Sequence, residues 1–365
     1  MLVALIMAGG KGERFWPKSR ERLPKQFLNL TGKGTLLQLT IDRILSIIDW
    51  DRIFLVCGSE YVGLVREQLP LLPAEHIIVE PEGRNTAPCI ALGALHIQKT
   101  FPDAVMAVLP ADHFVQDHAT YCSCLLAAAA AAEAGQHLVT LGIRPTRPET
   151  GYGYIRLGEY FGSPDGRECY RVKRFVEKPD LDSAWSYLAN GDFLWNSGIF
   201  VWRTDVILSN FATYMPELYQ GLERISKAWD TPYARQVLEE EYHRMDKTSI
   251  DYGIMENAES ILVFPCEFAW DDVGSWTALE RIGETDQDGN VLKGNIIAVD
   301  TKDCVIEGPL GDLNHDPRRV IAALGVRDLI VVDTGDVLLI CPKTQAQNVR
   351  RIIEQFRVLG ETTYL

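Results

Sequence analysis

Positive charge is scarce in this 365-residue chain, where 36 lysines and arginines stand against 50 acids for a formal net charge of -14 at pH 7. That balance argues against general binding to nucleic acid or to an anionic membrane. It also means that a polyphosphate could be held only where cations are concentrated locally. Long apolar runs are missing as well. The N-terminal run Leu2-Val3-Ala4-Leu5-Ile6-Met7 is too short to span a bilayer and lacks the basic leader of a signal peptide. Eight cysteines lie scattered, with Cys122-Ser123-Cys124 as the close pair and no metal-ligand spacing with histidine. Reduced thiols in the cytoplasm are the expectation. Two nucleotide signatures are also lacking: no Gly-Lys-Ser/Thr follows the N-terminal glycines, and their spacing does not fit the dinucleotide fingerprint.

What is present begins with that same segment. Leu2–Met7 reads as a buried parallel strand, and Ala8-Gly9-Gly10-Lys11-Gly12-Glu13-Arg14 follows it directly. Glycines at a strand's carboxyl end let backbone N–H groups turn inward around an anion, and Arg14 and Lys25 add fixed positive charge beside them. A nucleoside triphosphate brings roughly four negative charges to such a place, so phosphoryl or nucleotidyl transfer is the chemistry this loop suits. An ordinary glycine-rich turn with two surface cations is the plainer alternative.

Further on, apolar runs at Ile53–Cys57, Ile77–Val79, Val105–Leu109 and Leu138–Leu141 alternate with helical stretches near Leu36–Ile47 and Tyr61–Leu69. This alternation predicts an α/β fold with a mainly parallel sheet flanked by helices. The alanine-rich run Ala127–Ala134 reads as a packed crossover helix. Beyond Gly142 the patterns at Gly151–Ile155 and Tyr170–Val176 turn antiparallel, so the sheet becomes mixed. The polar stretch Thr285–Gly289 marks a boundary, predicting one domain over 1–284 and a small C-terminal β-rich domain over 285–365. Within the latter, Val299-Asp300-Thr301 recurs as Val332-Asp333-Thr334, which predicts two matching strand-turn-strand units and stacked, β-helix-like coils with a flat face for subunit contact. Lys343–Leu359 closes the chain as an amphipathic helix with Val349, Ile352, Ile353 and Phe356 on one face.

Several segments carry chemistry. Asp112 follows the apolar run Val105–Leu109, at the strand end where open α/β sheets bind ligands, and is a metal candidate or a turn aspartate. Adjacent acids Asp271 and Asp272 are framed by Trp270, Gly274 and Trp276. Gly151-Tyr152-Gly153-Tyr154 offers close backbone approach and flat aromatic surface. Glu177-Lys178 sets a carboxylate and an ammonium side by side at a strand end, a pair that also fits an ordinary surface ion pair. Asn196 can donate and accept at the mouth of the strand that follows it. Glu80-Pro81-Glu82-Gly83-Arg84-Asn85-Thr86 provides acids and amides beyond a strand, where Thr86 equally suits a helix cap.

Gly-Gly-x-Gly-x-Arg followed by Phe15-Trp16-Pro17 and Lys25-Gln26-Phe27 resembles the sugar-1-phosphate nucleotidylyltransferases, and specifically the mannose-1-phosphate guanylyltransferases. The resemblance covers residues 1 to about 284 closely and the β-rich tail more loosely. It implies a Rossmann-like fold and transfer of GMP from GTP to mannose 1-phosphate, giving GDP-mannose and pyrophosphate by direct attack on the α-phosphorus. In that reading Gly9, Gly10, Lys11 and Gly12 cradle the triphosphate beside Arg14 and Lys25, and Asp112 and Asp272 converge on Mg2+. Glu80, Arg84, Asn85 and Thr86 belong to the nucleotide contact region. Gly153, Glu177, Lys178 and Asn196 build the sugar pocket, with Glu177 accepting hydroxyls and Lys178 meeting the sugar's phosphate. A cytoplasmic homodimer joined through the C-terminal β-rich domain is expected, with no nucleic acid or membrane partner. Two rival readings share the loop: another sugar and base, such as glucose 1-phosphate with dTTP, or a non-catalytic subunit that senses a sugar nucleotide. Lys18 departs from the apolar residue that many relatives carry after Trp-Pro, and the chain ends short of the phosphomannose isomerase domain into which some bacterial members continue.

Overall fold

In the computed structural model, residues 1–309 and 319–365 are described, and they form two compact units interleaved along the sequence. Met1–Gly9, Ile41–Ala111 and Val115–Trp270 make the first, while Gly10–Thr40, Asp112–Phe114 and Asp271–Leu365 make the second. No helix among the described residues is long and apolar enough to cross a membrane.

The first unit is built on a nine-stranded sheet. In chain order its strands are β1 (Leu2–Met7), β2 (Ile53–Gly58), β3 (Ile77–Glu80), β4 (Val105–Pro110), β5 (Leu138–Ile143), β6 (Tyr154–Gly162), β7 (Cys169–Val176), β8 (Phe193–Arg203) and β9 (Ile261–Cys266). They lie in the order β3-β2-β1-β4-β8-β5-β9-β7-β6, with β6 pairing β8 as well. Strands β1 to β4 are mutually parallel, as their unbroken apolar runs require of strands covered on both faces. Strand β8 runs antiparallel to both β4 and β5 and makes the sheet mixed. Helix α1 (Thr86–Thr100) starts at Asn85, whose side chain accepts from the Thr86 N–H. Helix α2 (His118–Ala134) starts at Asp117 in a similar way, accepting from the Thr120 N–H. Its alanines Ala127, Ala128, Ala131 and Ala132 are buried, which bears out the crossover-helix reading: small side chains let the helix lie close on the sheet.

The second unit draws together distant parts of the chain because their apolar residues share one core. Phe15, Trp16 and Leu28 from the N-terminal segment and Val273 and Trp276 pack in the same cluster as Val291, Val305, Ile330, Val349 and Ile353. Compactness therefore divides the chain differently from the linear boundary at 284/285. The β-rich part contains β10 (Val291–Lys293), β11 (Ile296–Val299), β12 (Val305–Glu307), β13 (Ile321–Leu324), β14 (Leu329–Asp333) and β15 (Leu338–Pro342). β10, β12 and β14 stack in parallel, as do β11 and β13, so the coils are real. The expected pair of matching units is not. Val332-Asp333-Thr334 leads into an antiparallel hairpin, β14 with β15, whereas Val299-Asp300-Thr301 turns a corner between two separate sheets, with Asp300 and Asp303 at φ 49° and 52°. Aspartate serves both kinds of turn, which is why the two looked alike. The closing helix, α3 (Arg350–Leu359), follows a 3-10 stretch at Lys343–Asn348 and buries Val349 and Ile353.

Gly142 of β5 lies opposite Asn196 of β8, so the packing of this strand sets the position of a candidate site residue. A Cβ there would stand 2.6 Å from Leu194 Cδ1 and 2.9 Å from both Leu194 Cβ and Val263 Cγ2. Gly142→Ala is expected to lower stability by about 1–3 kcal/mol, the usual cost of overpacking a dense core. Urea denaturation measures it, and an unchanged midpoint contradicts the packing argument.

Candidate active site

In the second unit a cavity of about 430 Å³ is lined by Lys11, Gly12, Arg14, Lys25, Asp112 and Asp272, with Glu13, His113 and Arg350 among its further walls. Gly12 turns the loop at φ 61°, where a Cβ would fall 2.8 Å from the Lys25 backbone nitrogen, so a larger residue is barred twice over. The Ser19 hydroxyl donates to the Gly12 carbonyl at 2.8 Å and fixes the turn. Lys25 is only 5% exposed, and a buried ammonium must be matched by acceptors. It donates to Asp112 Oδ2 at 2.7 Å and to the Asp272 carbonyl at 2.6 Å. Arg14 donates to the Gly274 carbonyl at 2.9 Å. Desolvation acts to raise the Asp112 carboxyl, but the charges of Lys25 and His113 outweigh it and hold the group below its usual value. Asp112 is therefore ionised at neutral pH.

The adjacent acids have different work. Asp271 is buried, accepts from the Val273 N–H at 2.8 Å and holds Arg281 through both oxygens. Its neighbour lines the cavity. Val273, between Asp272 and Gly274, sits at φ 49°, strained backbone for a β-branched residue and a mark of a constrained segment. Asp112 and Asp272 offer carboxylate oxygens only, a donor set that fits a hard divalent cation completing its shell with substrate phosphates and water. No cluster of three or more His, Cys, Asp or Glu suited to a metal occurs among the described residues. Lys18 pairs with buried Glu307 and is absorbed by the fold.

The remaining candidates lie in the first unit. Glu80 is buried, accepts from the Tyr242 hydroxyl at 2.9 Å and has its other oxygen against Gly9. Burial, with the charge of Glu60, pushes its carboxyl up to about 7 despite the Tyr242 hydrogen bond. Arg84 is held by Glu82 at 2.7 Å and by the Met245 carbonyl. Asn85 caps α1, and the Thr86 hydroxyl accepts from the Ile250 N–H at 2.9 Å.

A separate cluster gathers Gly153, Glu177, Lys178 and Asn196. The Asn196 N–H donates to the Gly153 carbonyl at 2.8 Å, and Lys178, at φ 46°, places its ammonium 2.9 Å from Glu177 Oε1. Asn196 Nδ2 donates to Asp251 Oδ1 at 2.9 Å while its oxygen accepts from the Gly198 N–H at 3.2 Å. The amide is thus oriented, with one N–H left for a ligand.

Sequence reasoning missed Asp251, Tyr242 and Arg350. Asp251 opens a π-helical turn, Asp251–Met255, and burial followed by the charge of Glu177 pushes its carboxyl up to about 7. No local signal marks it, since its role arises from packing beside Asn196. The paired Arg350-Arg351 at a helix start was the available sign for Arg350.

The family model described as nucleotidyl transferase matches residues 3–289, and one described as a MannoseP isomerase/GMP-like beta-helix domain matches 294–356. A mannose-1-phosphate guanylyltransferase of Salmonella montevideo is 40% identical over 365 residues, covering 98% of this chain and 74% of its own length. One from Escherichia coli K12 is 39% identical, covering 98% and 74%. A solved structure from Thermus thermophilus, described as "mannose-1-phosphate geranyltransferase", superposes with a TM-score of 0.85 at 39% identity, covering 98% of this chain and 99% of that one.

The Glu80 environment yields a stability prediction. Below its usual value of 4.5 the carboxyl is protonated in both folded and unfolded chains; between 4.5 and about 7 only the folded chain keeps the proton. Stability therefore falls as pH rises through that window, by about 3 kcal/mol from this group alone. Chemical denaturation at pH 4.5 and pH 8 is expected to show a smaller loss for Glu80→Gln than for the wild type, and identical losses contradict the assignment.

Proposed function

Given that the chain belongs to the mannose-1-phosphate guanylyltransferases, nucleotidyl transferases acting on sugar 1-phosphates, we propose that it transfers GMP from GTP to mannose 1-phosphate with Mg2+. A phosphate oxygen of mannose 1-phosphate attacks the α-phosphorus of GTP while the bond from that phosphorus to the oxygen bridging to the β-phosphate breaks. The products are GDP-mannose and pyrophosphate, with no covalent enzyme intermediate. The observation that carries the reading is the buried Lys25 ammonium joining Asp112 and Asp272 in a cavity rich in cations.

The chain's part in this is positioning and charge. Gly9, Gly10, Lys11 and Gly12 supply N–H groups and a cation to the triphosphate, and Arg14 and Lys25 steady its charge. Asp112 and Asp272 would hold Mg2+, which supplies Lewis acidity toward phosphate oxygens when bound. Glu80, Arg84, Asn85 and Thr86 form the nucleotide contact region in this reading. Glu177 accepts from sugar hydroxyls, Lys178 meets the sugar's phosphate, and the remaining Asn196 N–H donates to a hydroxyl. Gly153 allows close approach.

A matrix of sugar 1-phosphates against four nucleoside triphosphates, scored by pyrophosphate release, tests the specificity; mannose 1-phosphate with GTP is expected to lead. Asp112→Asn and Asp272→Asn are each expected to cost at least about a hundredfold in turnover. Wild-type rates in both variants at saturating magnesium, or preference for another pair, would sink the reading.

The setting is cytoplasmic in this reading, consistent with eight unpaired cysteines. A homodimer through the β-rich tail is supported by the exposed apolar side chains Ile297, Val299 and Leu324 on β11 and β13. Light scattering at micromolar concentration should report twice the 41.0 kDa chain mass, and a monomeric mass refutes it.

A further inference from the structure

Helix α3 is fixed to the very stretch that carries the glycine loop. Its Arg357 pairs with Glu13 at 2.8 Å and Glu21 at 3.2 Å, and Phe356 lies 5.6 Å from Trp16 between ring centres. The Trp16 indole N–H donates to the Tyr364 carbonyl at 2.7 Å, just beyond the helix. Seven residues before Arg357, roughly 10 Å along the axis, Arg350 reaches the cavity that holds Lys11, Arg14, Lys25, Asp112 and Asp272.

The charges of that cavity give Arg350 its meaning. Lys11, Arg14, Lys25 and Arg350 face it together with the acids Glu13, Asp112 and Asp272, so four cations meet three acids. Without Arg350 the numbers are equal. Lys25 is already committed to Asp112, and Arg14 to a backbone carbonyl. The exposed Arg350 guanidinium has no hydrogen-bond or ion-pair partner among the described residues. A planar fork of donors with no protein acceptor, in a cavity whose other cations are partly neutralised, suits bidentate binding of phosphate oxygens.

We propose that Arg350 binds the polyphosphate of the nucleoside triphosphate, so that the C-terminal helix completes the nucleotide site. This rests on the reading of the cavity as the triphosphate site. The two ends of the helix thereby serve differently, since Arg357 anchors it to the loop segment and Arg350 supplies the charge that turns the balance of the cavity positive.

The test is calorimetric titration of inorganic tripolyphosphate, with magnesium, into the full chain and its Arg350→Gln, Arg350→Lys and Arg351→Gln variants. Arg350→Gln is expected to weaken binding about tenfold, as loss of one charge-assisted contact would. Arg350→Lys should recover part of that loss, and Arg351→Gln, whose side chain does not line the cavity, should bind as the wild type. The KM for GTP should rise in step in Arg350→Gln while that for mannose 1-phosphate stays unchanged, with thermal midpoints equal throughout. Tripolyphosphate bound equally by wild type and Arg350→Gln overturns this assignment and leaves the triphosphate reading standing. An equal loss in Arg351→Gln overturns it too, by showing only a general field. Failure of the wild type to bind tripolyphosphate overturns the cavity reading along with it.

Discussion

One buried ammonium holds the second unit's parts in relation. Lys25 reaches Asp112, 87 positions along the chain, and the carbonyl of Asp272, 247 positions along. Removing a charge from water is costly, and only acceptors at close range offset it, so the three segments must meet whenever Lys25 is buried. The same contact keeps Asp112 ionised against its own desolvation. Fold closure and the charge state of the candidate site are therefore two results of one interaction.

Environment also separates acids that are chemically alike. Asp112 is held below its usual range by a cation, whereas buried Glu80 near Glu60 and desolvated Asp251 beside Glu177 are pushed up to about 7. Asp271 and Asp272 are consecutive, yet one locks a strained turn through the Val273 N–H and Arg281 while the other lines a cavity. Packing alone thus makes four kinds of carboxylate, suited in turn to neutralising a lysine, offering a tunable acceptor, orienting an amide, or bracing backbone.

Much of the first unit was legible because apolar runs such as Leu2–Met7 and Val105–Leu109, alternating with helical stretches, read as buried strands. The helix cap expected at Thr86 falls instead to Asn85, while the Thr86 hydroxyl accepts from the distant Ile250 N–H. Lys25 and Asp112 could be picked out from their motifs and found in one cavity. What stayed hidden depends on contacts across long separations. Only the resemblance set Asp272 apart from Asp271; the physical distinction lies in Arg281 and the Val273 N–H, both bound by Asp271. The two Val-Asp-Thr strings read as equivalent because a hairpin and a coil corner ask the same of aspartate. Arg350 stands off the apolar stripe that marks its helix, so the pattern of the helix does not single it out.

The interleaving of the chain has a consequence for its birth. Residues 10–40 leave the ribosome early, but their apolar partners lie beyond residue 270. At about 5–20 residues per second, the intervening stretch takes on the order of ten to fifty seconds to synthesise. For that time Phe15, Trp16, Leu28 and Leu30 have no completed core to enter. A chain cut between Trp270 and the last helix therefore holds every strand of the first unit's sheet, while the core of the second unit still lacks Val349 and Ile353.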